Sequence, residues 1–342
     1  MLSFVNDYSE GCAPQILEAL AAHNLTPEPG YGCDPVCESA RAKIREACAD
    51  DSADVYFLCG GTQTNAVVID SMLASYEGVV ACTTGHVALH EAGAIEASGH
   101  KVLTVPGHDG GKMAARDLRA LLAAFYADGS HEHMVFPGMA YISQPTEYGT
   151  LYTRAELQEL RAVCNEYDIP LYVDGARLGY ALATPGSDVD LPCLTELADA
   201  FYIGGTKVGA LFGEAVVFPR HGAPRHFFTQ VKSHGALLAK GFVLGLQYDT
   251  LFTDDLYLRL GANGVTRAEQ LRAALVERGY TFHANSPTNQ TFVVLSNERL
   301  AELGEHVAYE VWEPVDATHT AIRLCTSWAT TQEQVDELIT YL

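Results

Sequence analysis

The feature that most constrains this sequence is an alternation of short apolar runs with longer amphipathic segments, from about residue 55 to residue 220. The short runs favour strands, and the longer segments carry apolar residues at helical spacing. This order predicts an α/β fold with a mostly parallel central sheet flanked by helices. We expect strands at residues 55–59, 79–83, 101–105, 139–143, 171–174, 201–203 and 215–218, and helices at 66–76, 88–98, 115–127 and 154–167.

A different pattern follows the last of these strands. Residues 227–260 are rich in Leu, Gly and Ala, which predicts tightly packed helices. Beyond them the pattern predicts a smaller C-terminal α+β domain, so we expect a large domain with an N-terminal arm over residues 1–245 and a small domain over residues 246–342. Its expected helices are residues 267–278, 298–303 and 333–342, and its expected strands are 291–295, 308–312 and 321–326.

The composition narrows the kinds of partner. With 43 acidic and 21 basic residues the formal charge is -22, which repels nucleic acid and anionic membranes. No apolar run approaches the length of a membrane span, and the first residues lack a signal-peptide pattern. The nine cysteines are scattered without Cys-x-x-Cys spacing, which argues against a disulfide framework or a zinc ribbon. We therefore expect a cytoplasmic protein that binds neither nucleic acid nor membrane.

Ligands of open α/β sheets bind where strands end and helices begin, and four such junctions carry unusual residues. The first is Gly-Gly-Thr-Gln-Thr-Asn at residues 60–65, after the first expected strand. Its glycines allow close approach of the backbone, and the free N–H groups of a helix start favour a phosphate. A tight turn capped by Thr62 or Thr64 is the alternative, and this segment alone favours it.

The second junction places Asp174 at the end of an apolar strand, followed by Gly-Ala-Arg. A carboxylate in such a position needs a cationic partner or several hydrogen bonds. A protonated pyridinium nitrogen would supply that partner and make the ring an electron sink. The competing interpretation is an internal ion pair between Asp174 and Arg177.

The third junction carries a single lysine, Lys207, amid glycine and apolar residues directly after another expected strand. Partial desolvation lowers the pKa of an amine, as a Schiff-base lysine requires. A loop lysine that merely extends to water is the alternative.

The fourth junction contains His86 and His90 on one helical face. The next carboxylate follows the second histidine, so the spacing differs from the zinc-protease motif and no third ligand is obvious. We favour a role for His86 in stacking on a flat aromatic cofactor. A capping or surface histidine is the second interpretation, and a metal ligand is a distant third.

Along the chain the junctions follow in the order glycine turn, histidine, aspartate and lysine. In this order they resemble those of the low-specificity threonine aldolase (β-eliminating lyase) family of pyridoxal 5'-phosphate (PLP) enzymes. The resemblance extends over nearly the whole chain. It implies PLP fold type I, with a mostly parallel central sheet and a smaller C-terminal α+β domain. It also implies a homodimer or homotetramer with active sites at subunit interfaces. The residues that carry it are Asn6-Asp7, residues 16–20, Gly30-Tyr31-Gly32 with Asp34, residues 61–65, His86 with Glu91, residues 173–177, Thr206-Lys207 and residues 322–324.

The resemblance also implies roles for individual residues. Lys207 would hold PLP as a Schiff base, Asp174 would bind the ring nitrogen and His86 would stack on the ring. Arg177 and Arg323 would bind the substrate carboxylate through paired hydrogen bonds. The phosphate would be bound by Gly61, Thr62, Gln63 and Thr206, with Lys232 contributed by a neighbouring subunit.

The sequence departs from many family members at two positions. Asn6 stands where many have a serine that contacts the substrate carboxylate, and Glu147 stands where many have a histidine. That histidine is a candidate for handling the substrate hydroxyl proton. As general base we expect His86, acting directly or through water, with Glu147 as the second candidate.

These residues predict retro-aldol cleavage of a β-hydroxy-α-amino acid such as threonine or allo-threonine to glycine and an aldehyde. The alternatives within the same chemistry are β-elimination and cleavage of bulkier substrates such as phenylserine. A non-catalytic PLP-binding relative fits less well because the lysine and the aspartate are both intact. A nucleotide-binding protein is disfavoured because no dinucleotide or Walker fingerprint follows a strand.

Overall fold

The computed structural model describes residues 1–342, which form a large layer built on a seven-stranded sheet and a smaller C-terminal layer built on a four-stranded sheet. The strands are β1 (Leu2–Ser3), β2 (Asp54–Leu58), β3 (Glu77–Cys82), β4 (Val102–Val105), β5 (Gly107–His108), β6 (Lys112–Met113), β7 (Phe136–Ser143), β8 (Leu171–Asp174), β9 (Ala200–Gly204), β10 (Glu214–Phe218), β11 (Thr281–Ala284), β12 (Gln290–Ser296), β13 (Val307–Ala308), β14 (Glu310–Pro314) and β15 (His319–Cys325). The helices are α1 (Pro14–His23), α2 (Pro35–Cys48), α3 (Gly61–Met72), α4 (His86–Leu89), α5 (Ala94–Ala97), α6 (Ala115–Ala127), α7 (Arg154–Tyr167), α8 (Leu178–Ala183), α9 (Leu191–Leu197), α10 (Phe227–Ser233), α11 (Phe242–Leu251), α12 (Leu256–Glu277), α13 (Asn297–Gly304) and α14 (Gln332–Thr340).

A seven-stranded sheet forms the centre of the large layer, in the order β2-β10-β9-β8-β7-β3-β4. All neighbouring pairs are parallel except those of β10, which runs antiparallel to β2 and to β9. Strands β7 to β10 are buried almost throughout, as expected for a sheet covered by helices on both faces. The α/β class with a mostly parallel central sheet is thus confirmed.

The C-terminal layer is a four-stranded antiparallel sheet in the order β11-β12-β15-β14. It packs with α12, α13 and α14 around a separate apolar core that contains Leu271, Ile322 and Val335. The start of the chain also joins this core, because β1 pairs in parallel with β13 and Phe4 is buried there. The N-terminal arm therefore lies against the small layer before it reaches the large one.

The division at residues 245 and 246 would fall inside α11. That helix contacts α1, α2 and β2, all of which belong to the large layer. We therefore propose that the small domain begins with α12, and that its core also takes in the first residues of the chain.

Local rules explain several helix boundaries. Thr153 and Thr331 form capping boxes at α7 and α14, and the Asp34 carboxylate caps α2. The helix predicted at residues 88–98 is instead two short helices, α4 and α5, because Ala92 and Gly93 between them adopt positive φ. Helices α1 and α2 and strand β11 were not predicted from the sequence, and α12 begins well before residue 267. No helix in the structure has both the length and the apolar character of a membrane span.

Helices α8 and α12 approach each other through glycines. A Cβ atom on Gly261 would lie 2.2 Å from the carbonyl oxygen of Gly179. Near this contact, the Tyr257 hydroxyl of α12 donates a hydrogen bond to the carbonyl of Gly204 at the end of β9. This close packing fixes the helix that follows Asp174 and therefore helps to position the site.

We expect Gly261→Ala to lower the free energy of unfolding by roughly 1–3 kcal/mol, because a backbone carbonyl cannot move away from the added methyl group. Urea unfolding followed by circular dichroism measures this change. Gly129→Ala is the matched control, since nothing lies within 4 Å of a Cβ atom there. An equal midpoint for the two variants would contradict the proposed packing constraint.

Candidate active site

A small polar cleft opens where β7, β8 and β9 end. Lys207 and Asp174, which come from two separate strand ends, both line it. Gly61, His86 and Arg177 from the predicted junctions also line it, so the sheet topology brings residues distant in sequence into one cavity. The lining residues are Gly61, His86, Ser143, Pro145, Thr146, Glu147, Asp174, Ala176, Arg177, Tyr202 and Lys207.

Asp174 is the most completely hydrogen-bonded group of the cleft. It is 4% exposed, and its Oδ2 accepts from the Tyr141 hydroxyl at 2.6 Å and from Asn65 Nδ2 at 3.0 Å. Its Oδ1 accepts from the Tyr202 hydroxyl at 2.5 Å and from the Ala176 N–H at 2.9 Å. Burial opposes ionisation, but the nearby His86 and these hydrogen bonds outweigh it and lower the pKa of Asp174. The carboxylate is thus held ionised away from bulk water.

Opposing effects act on the pKa of the Lys207 amine, and the net result is a lowered pKa. Burial lowers its pKa and Arg177 lowers it further, whereas the negative charges of Asp7 and Asp174 act in the opposite direction. Its Nζ lies 5.9 Å from the centroid of the Tyr8 ring. A lowered pKa increases the neutral fraction of the amine, which is the form that attacks a carbonyl carbon.

His86 begins α4 and is held by two carboxylates. Its Nδ1 lies 2.8 Å from Oε1 of Glu91, whose side chain is fully buried. Its backbone N–H donates to Oε1 of Glu147 at 2.8 Å. An Nδ1–H that donates to a carboxylate leaves Nε2 as the free ring nitrogen. No group of three His, Cys, Asp or Glu side chains is arranged to hold a metal ion, at His86 and His90 or elsewhere.

Glu147 also faces the cleft. Its Oε1 accepts from the Ser143 hydroxyl at 2.8 Å as well as from His86. Burial raises the pKa of Glu147, and the Ser143 hydrogen bond only partly offsets this. The side chain therefore combines access to the cleft with a pKa nearer to neutrality than that of an ordinary glutamate.

Arg177 does not pair with Asp174, so that interpretation of the sequence is wrong. Its Nε and Nη2 donate to the two carboxylate oxygens of Asp7 at 2.7 and 3.0 Å. Asp7 is fully buried and also accepts from Asn289 Nδ2 at 2.9 Å. The pair lies 170 residues apart in sequence, and it ties the N-terminal arm to the rim of the cleft.

Arg323 lies on β15 and is absent from the cleft lining. Its guanidinium donates to Glu310, to Gln290 at 3.1 Å and to the Val5 carbonyl at 3.2 Å, and it packs on the Trp312 ring. Its Nε is buried without a partner. A role in binding a substrate carboxylate would require release from Glu310 and stays a prediction.

The remaining predicted residues lie around the cleft. Gly61, Thr62 and Gln63 form the first turn of α3, where the first N–H groups have no partner within the helix. Only Gly61 of these lines the cavity. The Thr206 hydroxyl is hydrogen bonded to Glu214 at 2.8 Å and does not face the cleft.

Two further predicted residues, Lys232 and Asn6, also lie outside the cleft lining. Lys232 is exposed on α10, with its Nζ 4.7 Å from the centroid of the Tyr31 ring. The Asn6 Oδ1 accepts from the Tyr8 N–H and the Ser9 hydroxyl, so it stabilises a local turn. The contacts expected from these two side chains with a cofactor and a substrate stay predictions.

Comparisons with known proteins decide the family. The family model described as Beta-eliminating lyase matches residues 5–298. The chain belongs to the beta-eliminating lyase family. One similar protein is the low specificity L-threonine aldolase of Pseudomonas sp. (strain NCIMB 10558). The two sequences are 30% identical over 275 residues, which cover 80% of this chain and 78% of that protein.

Solved structures agree with this assignment. A structure of Leishmania major threonine aldolase superposes with a TM-score of 0.96 and 40% identity, covering 99% of this chain and 98% of that one. The aspartate aminotransferase of Thermus thermophilus superposes with a TM-score of 0.69 at 17% identity, covering 100% of this chain and 90% of that one, and shares the fold alone. The expected PLP fold type I is confirmed, and this lyase is a PLP-dependent enzyme.

The cleft of this lyase fits PLP. Asp174 is a buried, ionised carboxylate that forms no ion pair with any side chain of the chain, so a protonated pyridine nitrogen would complete it. Lys207 supplies an amine of lowered pKa in the same cavity. The first turn of α3 offers unpaired N–H groups suited to a phosphate.

The residues that hold these groups in place were not predicted from the sequence. Asn65 Nδ2 donates to both Glu91 at 2.6 Å and Asp174 at 3.0 Å, and its Oδ1 accepts from the Tyr172 hydroxyl. Asn65 and Glu91 belong to the segments that carried the resemblance, but no role was assigned to them. Their place in those segments, beside Gly61 and His86, is the signal in the sequence that could have indicated a role.

We expect Asp174→Asn to weaken binding of PLP by roughly 100-fold or more, because it leaves the pyridine nitrogen without its buried counter-charge. Absorbance titration of the apo protein measures the affinity. Asp54→Asn is the matched control, because Asp54 lies at the start of β2 and does not line the cleft. Unchanged affinity in Asp174→Asn would exclude the assigned role of this carboxylate.

Proposed function

We propose that the protein is a PLP-dependent aldolase that cleaves β-hydroxy-α-amino acids of the threonine and allo-threonine type to glycine and an aldehyde. The observation that carries this proposal is the shared cavity of Lys207, Asp174, His86 and Glu147. The relatives whose names describe threonine aldolases support the substrate class.

Lys207 and Asp174 would have separate roles at the cofactor. When bound, PLP accepts the electron pair released as the Cα–Cβ bond breaks. Lys207 would hold it covalently through its Nζ, since burial lowers the pKa of that amine. Asp174 would keep a proton on the ring nitrogen, because four hydrogen bonds hold the carboxylate ionised.

Cleavage also requires removal of the proton from the substrate hydroxyl. We propose Glu147 as the base, in place of the His86 expected from sequence. The His86 ring is positioned through Nδ1 by Glu91, which suits a ring that stacks on the cofactor. Glu147 faces the cavity with a pKa raised by burial, and a base with a pKa nearer to the working pH is more effective.

The substrate carboxylate would be bound by Arg177, the arginine that lines the cavity. Asp7 holds that guanidinium at the rim through two hydrogen bonds, which fixes its plane before substrate arrives. A fixed carboxylate orients the Cα–Cβ bond for cleavage. Arg323 would assist only after release from Glu310.

We propose that the enzyme works as a homodimer or homotetramer in the cytoplasm. All nine cysteines are unpaired, which suits a reducing compartment. Lys232 and Tyr31 lie together on the surface, away from the cleft of their own chain, and are available to a neighbouring subunit.

We expect Lys207→Ala to abolish turnover and the covalent link to PLP, because no other lysine lines the cleft. Borohydride reduction followed by peptide mass spectrometry measures the link, and an aldehyde-coupled assay measures turnover. The exposed Lys240 provides the control variant Lys240→Ala. A label at a lysine other than Lys207 in the wild-type protein would overturn the assignment. Pyruvate without aldehyde from a β-substituted amino acid would instead indicate β-elimination.

We expect Glu147→Gln to lower kcat for threonine cleavage by roughly 100-fold or more, because the amide cannot accept the hydroxyl proton. Binding of PLP, measured by its visible absorbance, should be unchanged. The exposed Glu159 provides the control Glu159→Gln. A rate close to that of the wild type would exclude Glu147 and favour His86, whose His86→Asn variant should then show the loss.

A further inference from the structure

A buried carboxyl group lies behind the lysine loop and takes no part in the steps described above. Glu214 begins β10 and is 3% exposed. Its Oε2 accepts from the Gly205 N–H at 3.2 Å, and its Oε1 is hydrogen bonded to the Thr206 hydroxyl at 2.8 Å. Both partners belong to the segment that leads directly into Lys207.

The same segment is closed into a loop at its other end. The carbonyl of Gly213 accepts from the N–H groups of Gly205 and Thr206 at 3.0 and 3.2 Å. The Gly213 N–H in turn donates to the Thr206 hydroxyl at 3.0 Å. Glu214 therefore completes a set of hydrogen bonds that joins the two ends of the loop carrying the amine.

We propose that Glu214 is a positioning residue for Lys207, which fixes the loop through Gly205 and Thr206 so that the amine faces the cleft. This inference rests on the proposed covalent role of Lys207. No ion pair joins Glu214 to Lys207 within 4.0 Å, so the residue acts through the loop and through its charge state.

The charge state of Glu214 matters to the amine. Burial raises the pKa of Glu214 to about 8, although Thr206 and Lys207 oppose the shift. A neutral Glu214 does not raise the pKa of the Lys207 amine. A Glu214 carboxylate, formed at higher pH, would raise it and so favour the protonated nitrogen. The groups that face it are Lys207 on the loop, Asp174 and Tyr172 on β8, Tyr202 on β9, Tyr248 on α11 and Tyr257 on α12.

The test is a pH titration of the visible absorbance of the holoenzyme between pH 6 and pH 10. In the wild type, an ionised Glu214 would favour a proton on the nitrogen that joins Lys207 to the cofactor, so we expect the spectral midpoint to lie at higher pH than in a variant without this carboxylate. We expect the midpoint of Glu214→Gln to be lower by at least about 0.5 pH unit, since the amide never ionises. Glu96→Gln, at an exposed helical glutamate, should keep the wild-type midpoint.

A second variant measures positioning. Glu214→Ala removes both hydrogen bonds to the loop, and we expect PLP to dissociate at least about 10-fold faster from it than from Glu214→Gln. An equal midpoint in the wild type and Glu214→Gln would overturn the inference. So would equal dissociation from the two variants. If Glu214→Ala does not fold, the midpoint of Glu214→Gln decides alone. Failure of the proposed function is distinguishable, because wild-type protein without a label at Lys207 would show it directly.

Discussion

The proposed active site depends on keeping the Asp174 carboxylate ionised while it is buried away from bulk water. An isolated buried carboxylate would take up a proton, because burial penalises the charged form. At Asp174 four donors prevent this, and three of them are side chains from α3, β7 and β9. The parallel sheet serves this arrangement, since it brings the ends of β7, β8 and β9 side by side at one edge.

The charged side chains around Asp174 are paired with one another through hydrogen bonds. Asp7 and Arg177 neutralise each other, and Glu91 is coupled to His86 on one side and to Asn65 on the other. Asn65 donates to both Glu91 and Asp174 through a single nitrogen, so the position of His86 is linked to that of Asp174. A change at any member of this set alters the others, and the effects of single substitutions here will not simply add.

Much of the cleft could be predicted because its reacting groups lie at strand ends. Lys207, Asp174, His86, Glu147 and Arg177 were all selected from junctions or from the family resemblance, and all line one cavity. Their partners could not be predicted, because Asp7 is 170 residues from Arg177 and Asn65 is 109 residues from Asp174. Helical periodicity also failed at residues 88–98, where two positive φ angles divide the helix. Long-range pairing and backbone conformation leave little trace in local composition.

The course of the N-terminal arm has a practical consequence for the whole enzyme. Strand β1 is anchored on β13, Phe4 is buried in the small-domain core, and Asp7 reaches the cleft only three residues later. Because only two residues separate Phe4 from Asp7, a displacement of the C-terminal layer would also move Asp7 and the Arg177 guanidinium that it binds. The first seven residues thus connect the two layers, and trimming them would remove both the β1–β13 pairing with Phe4 of the C-terminal core and the Asp7 partner of Arg177.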